Sequence, residues 1–109
     1  MLSFADVLAR FTGSDRITDM AERVAGRSRL GVWQRVMDRI PTLQPAEARG
    51  YLRARGISVV RAETARLVEQ EGRRIATHRT QIEDAAMQLL IEMISAQLGQ
   101  RATSRRRAA

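Results

Sequence analysis

From Pro45 to Leu98 the chain carries no second proline and only three glycines, Gly50, Gly56 and Gly72. Across this span a stripe at Ile57, Val60, Thr64, Leu67, Glu71, Ile75, His78, Ile82, Ala85, Leu89, Met93 and Ala96 advances in steps of three or four. That is the period of one helix face. Two forms satisfy it. One is a helical hairpin that breaks between Gly72 and Arg79. The other is a single rod of about 54 residues, about 80 Å long at 1.5 Å per residue. The hairpin is the expected form. Gly72 can end the first helix, and Thr80-x-x-Glu83 has the pattern of a capping box directly before an apolar run. A rod would need a partner chain along its length, because one apolar stripe cannot bury itself.

Three short helices are expected ahead of this unit. Leu2, Phe4, Val7, Leu8 and Phe11 repeat at helical spacing, with Gly13 as a stop. Ser14 can cap a second helix whose inner face is Ile17, Met20, Ala21 and Val24, ending at Gly26. Ser28 can cap a third, with Leu30, Trp33, Val36, Met37 and Ile40 inside, and Pro41 ends it because the residue before proline avoids the α region. Helices this short are marginal alone. Pro45 reads as a first-turn proline after Gln44. The expected fold is therefore all-α and a single domain. Residues 1–41 form three short helices, packed on a long helical hairpin (or one long kinked helix) at 45–98. An Arg-rich tail at 99–109 has no side chain larger than Ala that is apolar, and is expected to be disordered.

Composition narrows the chemistry. Hydrophobic residues make up 44% of the 109, enough for a modest core, while aromatics at 4% supply a sheet-rich fold or a base-stacking platform poorly. Cysteine is absent, which excludes disulfides, thiolate metal sites and a Cys nucleophile. No apolar run approaches the ~18–20 residues of a transmembrane helix. Asp6 precedes any Arg, which does not suit a signal peptide. A cytoplasmic protein is expected.

All 19 basic residues are Arg, against 12 acids, for a net charge of +7. Arg in place of Lys is what a GC-rich genome tends to write, but the surplus itself needs another account. Arg offers a planar, permanently charged fork that grips phosphates bidentately. The surplus is also uneven. Residues 45–80 hold 8 Arg and 4 acids, with no acid between Glu47 and Glu63. Two basic centres emerge as candidate nucleic-acid contacts: Arg49, Arg53, Arg55 and Arg61, and the tail's Arg101, Arg105, Arg106 and Arg107.

A second stripe, Ala46, Gly50, Ala54, Ser58, Ala62 and Ala65, is small throughout. Small residues let helix axes approach closely, and Gly50 and Gly56 each cost about 1 kcal/mol against Ala in a helix interior. Close packing is one compensation, and approach to a phosphate backbone flanked by Arg49 and Arg53 is another. The apolar arc of 82–98 is wide, as expected of a helix that touches two neighbours or forms a subunit interface. Gly50, Ala54, Ala62, Leu89 and Met93 are the candidate helix-packing interface, and homo-oligomerisation through 45–98 is expected.

Nothing suggests catalysis. The lone histidine, His78, rules out a two-His metal site, and Ile75 stands where a Glu-x-x-His pattern needs its Glu. His78 and Glu71 share the long stripe; they either meet across the hairpin and fix its register or sit solvated at the kink. No nucleophile–base pair or phosphate loop is present. No enzyme activity, cofactor, metal or small-molecule substrate is expected. Residues 18–37 resemble a bacterial helix-turn-helix in rhythm, with Ala21 inside one helix, a turn at Gly26–Ser28, and Val32 and Arg35 on a second helix. That resemblance implies a reading helix in the major groove. Three roles follow: a non-enzymatic nucleic-acid-binding protein using Arg–phosphate contacts, a homo-oligomeric structural or adaptor protein, and a helix-turn-helix regulator.

Overall fold

The computed structural model describes the backbone of residues 15–108 and the side chains of residues 16–102. The helix expected at residues 2–11 lies outside the described residues. Among the described residues there is no strand. Helix α1 spans Asp15–Val36, a 3-10 turn spans Ile40–Thr42, α2 spans Pro45–Glu71, a short α3 spans Arg73–Ala76, and α4 spans Arg79–Ala108.

Helix α1 is one uninterrupted helix of 22 residues. It runs through Gly26 and Ser28, where the sequence suggested a boundary between two short helices. The reason is tertiary. Ile17, Met20, Ala21, Val24, Ala25, Ser28, Val32 and Val36 are all buried and keep one helical phase across the supposed turn. Each buried aliphatic side chain contributes about 1.5–3 kcal/mol, which outweighs the cost of about 1 kcal/mol for a helical glycine. Ser28 is fully buried rather than a cap, and its hydroxyl has no hydrogen-bond partner among the described residues. A buried unsatisfied hydroxyl costs about 1–3 kcal/mol. Ser28→Ala is therefore expected to raise stability by about 1 kcal/mol in chemical denaturation; a loss of stability would mean that the hydroxyl is satisfied in solution. Helix α1 also stops before Ile40. Ile40 instead turns into the core within the 3-10 turn that contains Pro41.

Helix α2 begins as its sequence predicts. Pro45 occupies the first turn and Gln44 is the N-cap, its backbone N–H donating to Glu47 Oε1 at 3.3 Å. Its buried face is Leu52, Gly56, Val60, Thr64 and Leu67. Gly72 closes it at φ +92°, a conformation that only glycine adopts cheaply, and donates to the Val68 carbonyl at 2.9 Å. The chain is thus a hairpin and not a rod. Helix α4 starts at Arg79, so Thr80 lies inside its first turn and not at the cap. Ile82, Ala85, Ala86, Met87, Leu90, Ile91 and Ile94 are buried along it. It is assigned as helix through Ala108, past Gly99, where a disordered tail was expected.

The three long helices run up, down and up. Arg16 and Arg23 at the start of α1 pair with Glu71 at the end of α2, at 3.4 and 3.2 Å. Near the other end of α1, Arg35 donates to Ser58 Oγ at 3.1 Å and the Tyr51 hydroxyl donates to Asp38 Oδ1 at 3.0 Å. Helix α4 returns alongside α1, bringing Arg101 over the Trp33 ring. Its wide apolar arc is explained within the chain, because it packs on both α1 and α2. Val32, Gly56 and Met87 meet at mid-bundle.

Candidate functional site

The fold sorts charge along the bundle axis. On the side of the Val32–Gly56–Met87 level that holds the 3-10 turn and the end of α4, residues 33–55 and 88–108 carry 9 Arg and 3 acids. On the other side, residues 15–32 and 56–87 carry 9 Arg and 8 acids. The two basic centres are 40 or more residues apart in sequence, but the antiparallel course of α2 and α4 brings them to one end. Ion pairing follows the same division. Among the described residues, every ion pair lies in the balanced half: Glu71 with Arg16 and Arg23, Glu63 with Arg66, and Glu83 with Arg61 and Arg79. Arg49, Arg53, Arg55 and Arg101 are exposed and have no carboxylate within ion-pair distance among those residues.

The candidate nucleic-acid contacts therefore divide. Arg49, Arg53, Arg55 and Arg101 share the basic end. Arg61 lies in the other half, where Nε stands 3.7 Å from Glu83 Oε2. Arg105, Arg106 and Arg107 fall on the last turns of α4, and their side chains are outside the described residues. One arginine joins this group that the sequence run did not include. Arg39 lies 5.7 Å from the Tyr51 ring centroid, with Arg55 5.8 Å from the same ring. Arg101 lies 5.7 Å from the Trp33 ring centroid. These contacts leave the guanidinium edges free to donate, and each contributes about 0.5–1 kcal/mol at an exposed site. Arg39 escaped notice because Pro41 and Pro45 separate it from the Arg49 run; only the turn back between α1 and α2 places them together.

Beneath this end is an open cleft of about 440 Å³. Met37, Ile40, Leu43, Leu52 and Leu98 are among its walls, and Arg49 and Arg101 line it as well.

The candidate packing residues are also divided. Gly50, Ala54 and Ala62 are exposed, together with Ala46 and Ser58, so the small-residue stripe faces away from the bundle. Nothing lies within 4 Å of a Cβ built on Gly50. Leu89 and Met93 are half-buried against the core. Close approach inside the chain depends on Gly56 and on small buried residues that the stripe did not contain: Ala21, Ala25, Ser28, Ala85 and Ala86. The only large hydrophobic residue exposed among the described ones is Leu30, at 66%.

One further expectation is corrected, and one open alternative is decided. The helix-turn-helix rhythm of residues 18–37 does not correspond to two helices. Val32, which would sit on a reading helix, is fully buried, and no turn interrupts Gly26–Ser28. His78 and Glu71 do not meet. Glu71 is held by two arginines, while His78 is exposed at the turn with Nδ1 3.0 Å from Gln81 Oε1. Among the described residues, no helix is long and apolar enough to cross a membrane.

Among the described residues, these features define a basic bundle of three long helices, polarised in charge. The chain matches no protein-family model, and neither a curated protein nor a solved structure is significantly similar to it.

Proposed function

We propose that the protein is a non-enzymatic, nucleic-acid-binding helical bundle that holds phosphates at its Arg-rich end. The observation that carries this reading is the charge division: 9 Arg against 3 acids at one end, with no ion pair there among the described residues. Arg39, Arg49, Arg53, Arg55 and Arg101 are the contacts expected to act, together with Arg105, Arg106 and Arg107, which follow Arg101 in sequence. Affinity for duplex DNA or RNA should depend little on sequence and fall steeply with salt, by about 0.9 in log K per log salt for each B-DNA phosphate neutralised. Gel shift of a mixed-sequence duplex at 50 and 200 mM salt tests it. Absence of binding at 50 mM would remove the reading.

A second reading, self-association through α2, is supported by one observation. Ala46, Gly50, Ala54, Ser58 and Ala62 form an exposed small-residue face, and among the described residues nothing lies close enough to Gly50 to compensate its helical cost. Among the described residues, the Cβ that Gly50→Leu adds has open space around it. The substitution is expected to leave folding intact and to abolish any dimer that light scattering detects at tens of micromolar. A variant dimer as stable as the parent would exclude this face as the interface.

A further inference from the structure

We propose that the cleft at the Arg-rich end binds a single-chain anionic amphiphile, a free fatty acid, with its alkyl chain in the cleft and its carboxylate between Arg49 and Arg101. This site is independent of whether the same end also holds nucleic acid. The cleft of about 440 Å³ falls within the range of small-molecule sites, about 300–1,000 Å³. Its walls are aliphatic, from Met37, Ile40, Leu43, Ala48, Leu52 and Leu98. Among the described residues, Ser95 supplies the only side-chain hydroxyl lining it, and no acid lines it.

Charge complementarity selects the occupant. Among the described residues, the charged side chains that line the cleft are Arg49 and Arg101, one from α2 and one from α4, and neither has a carboxylate partner there. Both arginines line the cleft, and a guanidinium fork can bind a carboxylate bidentately. A neutral lipid would leave both cations unanswered. A nucleobase carries donors and acceptors around its edge, and aliphatic walls would leave most of them buried and unpaired, which is costly. A methylene chain makes no such demand.

Isothermal titration of the full chain with laurate below its critical micelle concentration tests the assignment. Dodecyltrimethylammonium is the matched cation. The expected result is saturable one-to-one binding of laurate, with the cation at least tenfold weaker. Ala48→Trp fills the cleft without changing charge and should weaken laurate at least tenfold while preserving nucleic-acid binding. Leu98→Gln, which makes the wall polar, should do the same and guards against a folding defect in the first variant. Arg49→Gln combined with Arg101→Gln should also weaken laurate at least tenfold. Equal affinity for laurate and the cation would overturn the proposal, as would laurate binding unaffected by both cleft variants, or no saturable binding. If Ala48→Trp and Leu98→Gln fold but lose oligonucleotide binding, a base occupies the cleft and the fatty-acid assignment fails.

Discussion

Replacing Arg49, Arg53, Arg55 and Arg101 together by Ala is expected to lower nucleic-acid affinity about 10³-fold at 0.1 M salt and to reduce the salt slope by about 4. Each of these side chains is exposed and free of carboxylate partners among the described residues, so each can displace a counterion from a phosphate. The matched control removes Arg16, Arg23, Arg66 and Arg79, which changes the net charge by the same amount. Those four are already engaged by Glu63, Glu71 and Glu83. Long-range attraction from net charge is screened beyond a Debye length of about 10 Å at 0.1 M salt, so the control should retain most of the affinity and slope. Equal losses in the two variants would mean that total charge, not its place on the bundle, drives binding. Circular dichroism of both variants separates lost contacts from lost fold. The stability cost of the first should be modest: Arg55 and Arg101 give up cation–π contacts worth about 0.5–1 kcal/mol each, and Arg49 and Arg53 give up none.

The hairpin was legible because its signals are local. Pro45 after Gln44 and Gly72 at the end of a periodic run each act through their own backbone angles, and the structure places them as a first-turn proline and a positive-φ C-cap. The N-terminal region misled for the opposite reason. Gly26 and Ser28 have a weak local preference for a boundary, and a buried stripe from Ile17 to Val36 overrides it. The small residues divide between two faces. Ala46, Gly50, Ala54, Ser58 and Ala62 recur every four residues in sequence and face solvent, while the small side chains in the core are scattered over three helices. Which of two stripes faces inward depends on what the neighbouring helices offer, and that is not written in either stripe. The basic end was half legible. The Arg49 run and the tail could be located, but their meeting with Arg39 and the cleft is a consequence of topology.

Gly56 is where the bundle tolerates change least, and Gly56→Leu is expected to cost more than about 3 kcal/mol. That corresponds to a fall in Tm of more than about 10 °C. A Cβ at this position would lie 3.1 Å from Met87 Cε and 3.3 and 3.5 Å from the two Val32 methyls. Met87 presents the end of a flexible side chain and can retreat. Val32 cannot: it is fully buried, and a β-branched residue in a helix keeps essentially one rotamer. A leucine therefore has to push α1 and α2 apart at the level where all three long helices meet. Gly56→Ala separates the opposing effects. It gains about 1 kcal/mol of helix propensity and loses a comparable amount to the Val32 contact, so its stability should stay close to that of the parent. A Gly56→Leu protein that melts at the parent temperature would show that the helices at Val32 and Met87 are not in close contact in solution. Because Gly50 and Gly56 share one helix and one intrinsic cost, the pair Gly50→Leu and Gly56→Leu isolates packing from propensity. The first should fold as the parent does, and the second should not.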